Sequence, residues 1–236
     1  MKYFYSAVLL LLIKGISLFA FEKEYSITSK LKLNTIKTQK KTLNLSSSSV
    51  TSLYNELKLN KVLGFEAFSN AINGLNKIKT LKKDVLTIID FSNSSLNKRF
   101  FVIDLKNKKV LYSTYVMHGK NSGDEFTTSF SNILNSYQSS PGFYLTENSY
   151  IGDYGYSLRL KGLEKGINDR ARERAIVIHG SQYAKPIPGA RSLSKSLGCP
   201  AIPKELSKEV IDIIKNGSVI YAHTNKKDYI KKSSLI

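Results

Sequence analysis

The chain has 236 residues with 36 Lys and Arg against 18 Asp and Glu, a formal net charge of +18, and a single cysteine. That length suits one ordinary domain with extensions, and the excess of base favours polyanionic partners such as an acidic wall polymer, anionic lipid or nucleic acid without choosing among them. One thiol excludes an internal disulfide, and three scattered histidines show none of the close ligand spacing of a zinc site.

Residues 1–20 read as an export signal or an uncleaved N-terminal anchor. Lys2 opens the segment, Ala7 to Ile13 is apolar, and Ser17-Leu18-Phe19-Ala20 offers a cleavage site. Residues 21–50 follow as a flexible basic linker, carrying Lys30, Lys32, Lys37, Lys40 and Lys41 before the run Ser46 to Ser49. From about residue 51 the pattern becomes globular. Phe65, Phe68, Ile72 and Leu75 recur at helical spacing, which predicts an amphipathic helix over 61–80. Short apolar stretches at 85–91, 100–104, 109–117, 143–146, 156–160, 174–179 and 218–223 then predict a mostly antiparallel β domain. A last helix begins at Pro203, turns Leu206, Val210, Ile213 and Ile214 inward, and stops at Asn216-Gly217. Residues 226–236 read as a polar basic tail. The domain therefore spans 51–225 and belongs to the mostly β, α+β class.

Chemistry concentrates near the end of this domain. Cys199 lies in Ser196-Leu197-Gly198-Cys199-Pro200, twenty residues after His179, which ends the apolar run Ala175 to Ile178. An unpaired thiol in an exported protein is either reactive or bonded to another molecule. If the cysteine loop folds back on the strand end, imidazole and thiol come within reach, and the base makes thiolate available near neutral pH. The N–H groups of Leu197, Gly198 and Cys199 are then candidate oxyanion donors. His118, Arg191 and Lys195 are weaker candidates: a loop histidine, and two cations placed to meet carboxylates.

His179-Gly180 with Ser196-Leu197-Gly198-Cys199 downstream resembles the signature of the L,D-transpeptidase (YkuD-type) catalytic domain. Ser140-Pro141-Gly142-Phe143-Tyr144 is similar to that family's turn before a strand. Met117-His118-Gly119-Lys120-Asn121-Ser122-Gly123 and Gly155 to Glu164, with Asn168-Asp169 and Arg174 to Gly180, are similar to its murein branch, where Gly-Cys-Pro is habitual. Leu197 stands where most of the wider family has histidine, and Pro200-Ala201 replaces its usual aliphatic-Arg or aliphatic-Asn pair. The resemblance implies an L,D-transpeptidase-like β-sandwich or barrel, with an N-terminal helical segment and a helix after the cysteine loop. It implies Cys199 as nucleophile, His179 as base, the Gly180 carbonyl orienting the imidazole, and Ser196 and Gly198 shaping the loop. Peptidoglycan stem peptides in the periplasm or cell envelope would be the substrate, with no cofactor and no metal. The acyl acceptor would be a second stem peptide, water or a wall-anchored protein, and the basic surface would rest against anionic wall or membrane. Two other readings stay open from the residues alone: a sortase-like or other exported cysteine enzyme acting on protein, and a non-catalytic wall-binding module. No recognised nucleic-acid motif is present.

Overall fold

The computed structural model describes residues 46–79 and 81–236. Residues 1–20 and the linker as far as residue 45 lie outside the described residues. No described helix is long and apolar enough to cross a membrane.

The described chain opens with helix α1 (Ser47–Glu56), a 3-10 turn (Leu59–Lys61) and helix α2 (Phe65–Lys77). The linker boundary at 50 and the single helix over 61–80 are thus both revised. The serine run is a helix start, with the Ser46 side chain accepting from Ser49 N–H as N-cap, the position at which a hydroxyl replaces the missing helical acceptor. On α2 the expected stripe is buried at Phe68, Ile72 and Leu75, but Phe65 is 44% exposed and sets its ring edge-on to Tyr54 of α1.

Eight strands follow, interrupted by a third helix: β1 (Val85–Asp90), β2 (Phe100–Asp104), β3 (Lys109–Thr114), β4 (Gly142–Gly152), β5 (Gly155–Gly162), β6 (Val177–Ser181), β7 (Ala201–Pro203), α3 (Lys204–Ile214) and β8 (Val219–His223). They form one sheet in the order β3-β2-β1-β8-β4-β5-β6-β7. The β1/β8 and β6/β7 pairs are parallel and the other five antiparallel. Beyond β3 the chain carries Met117 onto Ala201 of β7, with Met117 N–H donating to Ala201 C=O at 2.8 Å. The two edges therefore meet, and the sheet is a nearly closed barrel.

Why the strands read as unbroken apolar runs is now plain. Phe101, Ile103, Val219 and Tyr221 face one core, shared with α1 and α2. Phe100, Val102, Ile220 and Ala222 face the other, shared with Val210, Ile211 and Ile214 of α3. A strand covered on both faces has no polar side to alternate with, and each such burial contributes roughly 1.5–3 kcal/mol. Two strand predictions shift for local reasons. Strand β4 runs on to Gly152 because a register shift between Thr146 and Ser149 lets a polar stretch pair with β5. Strand β6 starts at Val177 rather than 174, since Ala175 takes a positive φ of 53°, and it continues past His179 to Ser181.

The C-terminal residues are not a solvated tail. Helix α4 (Lys227–Lys232) buries Tyr229. The Tyr229 and Ser233 hydroxyls donate to the buried Glu164 carboxylate, and Leu235 and Ile236 pack on the first core.

Candidate active site

Strand register brings the thiol to the histidine strand. Because β6 pairs His179 with Ala201 of β7, the residues two positions earlier, Val177 and Cys199, also lie side by side. Val177 N–H reaches Cys199 Sγ at 3.5 Å, and the thiol donates to Ala175 C=O at 3.5 Å. Alternation along β6 puts Val177 and His179 on one face, so imidazole and sulfur share a surface. Both line one cavity of about 430 Å³, together with Tyr154, Arg174, Lys195 and Leu197. The thiol makes no hydrogen bond to the imidazole in this arrangement; its proton points to Ala175.

Cys199 is 8% exposed. Burial pushes its thiol pKa up, opposed by the Val177 N–H and by the Arg174 charge. His179 is 5% exposed, and burial pushes its pKa down despite its bond to Gly180. At neutral pH the pair therefore rests as thiol and neutral imidazole. His179 Nδ1 lies 3.2 Å from Gly180 C=O, which makes Nδ1 the protonated nitrogen and leaves the Nε2 lone pair as the base. Tyr154, at the tip of the β4–β5 hairpin, stacks on the imidazole with ring centroids 4.5 Å apart and planes 24° off parallel.

The loop before the thiol is cross-linked by its own hydrogen bonds. Ser196 Oγ donates to Cys199 C=O at 2.6 Å and accepts from Gly198 N–H at 3.1 Å. Gly198 N–H is thus already committed inside the loop, whereas the Leu197 and Cys199 N–H groups have no acceptor among the described residues. Gly198 has φ +121°, and a Cβ there would sit 3.0 Å from Gln138 C=O, so only glycine fits. Leu197 projects outward, 51% exposed at the cavity mouth.

The weaker candidates separate. Lys195 lines the cavity, but its ammonium is tied to Ser192 Oγ and Leu193 C=O and pairs with Asp124 at 3.4 Å. Arg191 is exposed and outside the cavity lining. His118 is fully buried and away from the cavity. Its Nδ1 accepts from Arg99 at 2.7 Å, and its Nε2–H donates to Gly123 C=O at 3.1 Å. Burial, then the Arg99 charge, pushes its pKa down to about 4. The expected substrate contact is therefore replaced by an internal hydrogen-bonding role. Among the described residues no group of three or more His, Cys, Asp and Glu is placed to hold a metal ion.

Three residues here were not singled out from the sequence. Arg99 carries no motif, and Arg174 enters only as the first residue of the Arg174 to Gly180 stretch, with no role of its own. Tyr154 had a usable signal, an aromatic at the tip of a Gly152-Asp153-Tyr154-Gly155 turn.

A buried thiol and an oriented imidazole thus share one cavity at the seam of the barrel. The chain belongs to the L,D-transpeptidase catalytic domain family, whose model matches residues 59–223. No curated protein matches it. Solved structures resembling it include an L,D-transpeptidase from Mycobacterium smegmatis, 13% identical over 60% of this chain and 59% of that one, with a TM-score of 0.37. Another is L,D-transpeptidase (Yku) from Stackebrandtia nassauensis, 12% identical over 76% and 78%, with a TM-score of 0.37. A third is the helical cell shape determining protein Pgp2 from Campylobacter jejuni, 12% identical over 62% and 49%, with a TM-score of 0.40. The chain thus spans about 59% of the first of these and 49% of the third.

Proposed function

We propose that the chain is an exported peptidoglycan L,D-transpeptidase that acts through a Cys199 thioester. The observation that carries the reading is the shared cavity of Cys199 and His179, with His179 Nδ1 held by Gly180 C=O and Nε2 left as the base. The thiol proton passes to Nε2 as sulfur attacks the carbonyl joining the third stem residue to a terminal D-alanine. The oxyanion is met by the Leu197 and Cys199 N–H groups, and one such donor is worth roughly 3 kcal/mol of barrier. Collapse breaks the C–N bond, and the imidazolium returns its proton to the departing D-alanine amine. An amine of a second stem peptide then attacks the thioester, gives its proton to His179 and releases the thiolate, leaving a 3→3 cross-link. Water as acceptor gives a tripeptide, and a lysine of a wall protein gives a tether. The carbonyl of Gly180 takes the orienting part that a carboxylate plays in a Ser-His-Asp triad. The reading sets the enzyme in the periplasm or cell envelope, where its positive charge attracts anionic wall or membrane.

The test is mass spectrometry of products after the full-length chain meets a disaccharide-tetrapeptide. D-alanine with a cross-linked dimer or a tripeptide is expected from wild type and not from Cys199→Ala. A tetrapeptide left untouched by folded wild type overturns the substrate, and equal turnover by Cys199→Ala overturns the nucleophile.

A further inference from the structure

Arg174 lies just before Ala175, the residue whose carbonyl accepts the Cys199 thiol proton. Its guanidinium is half-buried and held by four hydrogen bonds. One terminal nitrogen donates to Ser131 C=O and Ser140 Oγ, the other to Ser136 Oγ and Gln138 C=O. All four partners are neutral, and among the described residues no carboxylate pairs with it. Of the five N–H donors of an arginine, only Nε–H stays outside this set, so the group has little capacity left to clamp a substrate. What it retains is charge. The position of that charge is fixed: a Cβ built on Gly198 would stand 3.7 Å from Arg174 NH2, which sets the guanidinium against the cysteine loop itself.

The cavity around the sulfur reinforces the point. Besides the thiol, its titratable lining among the described residues is Tyr137, Tyr154, Arg174, His179, Tyr183 and Lys195, with no Asp or Glu. Lys195 is partly neutralised by Asp124, so Arg174 is the cation of the lining without a carboxylate partner. A buried thiol gains nothing from water on ionising, and the neighbouring imidazole is itself poorly disposed to become a cation at a buried position.

From this geometry we infer that Arg174 is the fixed positive charge against which the Cys199 thiolate forms, while His179 removes the proton. Arg174 acts on sulfur through space and is a positioning and charge-supplying residue. The inference rests on the thiol chemistry proposed above but not on the identity of the substrate.

Alkylation of the full-length chain tests it. Iodoacetate and iodoacetamide both lose iodide to the thiolate, but only the first is an anion. Wild type is expected to favour iodoacetate about tenfold more than glutathione does. Arg174→Gln is expected to lose that preference and to shift the alkylation midpoint up by about one pH unit. Arg174→Lys, which keeps the charge without the fork of bonds, falls between. An unchanged preference and midpoint in folded Arg174→Gln overturns the inference, as does a shift seen in Lys195→Gln in place of Arg174→Gln. If Arg174→Gln does not fold, wild type decides: a preference no greater than that of glutathione overturns it. Because alkylation reads sulfur alone, normal alkylation without muropeptide turnover counts against the substrate and not against Arg174.

Discussion

Gly180 carries two duties, and the substitution Gly180→Ala separates them from ordinary strand packing. A Cβ at this position would overlap Ser207 Oγ and lie 2.9 Å from Ser207 Cβ and 3.1 Å from Lys204 Cα. Carbon atoms rest at about 3.5–4.0 Å, so helix α3 has to retreat by about 0.8 Å. That helix inserts Val210, Ile211 and Ile214 into the second core, and the retreat opens gaps beneath all three. Overpacking of this kind costs about 1–3 kcal/mol. At about 2–4 °C per kcal/mol for a chain of this size, the melting temperature should fall by about 2–12 °C. Thermal unfolding of four proteins checks it: wild type, Gly180→Ala, Ser207→Gly and the double variant. Removing the Ser207 side chain takes away the two closest obstacles and leaves only Lys204 Cα at 3.1 Å, so the double variant should be more stable than the two single losses combined by about 1 kcal/mol or more. Turnover is expected to fall further than stability, because the displaced carbonyl no longer holds His179 Nδ1. Additive losses, or a Gly180→Ala protein melting within about 1 °C of wild type, would refute the packing argument.

Tyr154→Ala should lower kcat by about 2- to 12-fold, the equivalent of a 0.5–1.5 kcal/mol ring contact, while Tyr154→Phe keeps the stack and most of the rate; steady-state kinetics decides. Gly198→Ala should abolish rapid thiol alkylation and cost about 1–3 kcal/mol, since its φ of +121° and the close Gln138 carbonyl admit no side chain; alkylation and unfolding measured together test this. Tyr229→Ala should destabilise the protein by about 3–5 kcal/mol, read as a lowered denaturant midpoint, because α4 is a packed element rather than a tail. Stability should also fall with acid. The His118 pKa is depressed to about 4, so the unfolded state binds a proton that the native state refuses between about pH 6.5 and 4. Its contribution, up to about 3 kcal/mol, is complete above pH 6.5 and disappears toward pH 4. Depressed His179 and His223 act in the same sense. Glu164, raised by burial, opposes them above its ordinary value of 4.5. Melting curves from pH 7.5 to 4 should show the decline, and His118→Asn should flatten it.

Much of the domain could be read from the chain because its signals are local. The runs 85–91, 100–104 and 218–223 are strands within a residue or two, since covering both faces of a central strand leaves continuous apolar sequence. Helix α3 announces itself by Pro203 at its start and by Asn216 and Gly217, both at positive φ, at its end. Where the reading fell short, the decisive contact is distant. Four serines look like linker until Ser46 caps a helix, and residues 226–236 look like tail until Glu164 offers an acceptor some 65 residues upstream. The closure of the sheet depends on Met117 meeting Ala201, which no local pattern announces. At the site, Cys199 and His179 stood out by residue type and spacing, and Gly180 by the family resemblance. Arg174 did not, because the partners that hold it are neutral and 34–43 residues away.

Arg99 and His118 show how such distant contacts reach the chemistry. The cysteine loop is suspended from the segment after β3: Ser196 N–H donates to His118 C=O at 2.9 Å, and Lys120 N–H to Ser196 C=O at 2.8 Å. That segment is held from inside by Arg99, fully buried, whose Nε and NH2 reach Val116 C=O at 3.3 and 3.0 Å. Its remaining bonds go to Asn93 C=O, Thr127 Oγ1 and His118 Nδ1. Burial lowers the guanidinium pKa to about 9, and nearby Asp90 opposes the drop. A cation in such a place is tolerable only while its acceptors stay in position. The same requirement fixes the backbone from 116 to 120, and through it the height of Ser196 and of the thiol three residues on. His118 therefore braces the cysteine loop from inside the fold. Its imidazole accepts the buried charge, and its carbonyl carries the loop.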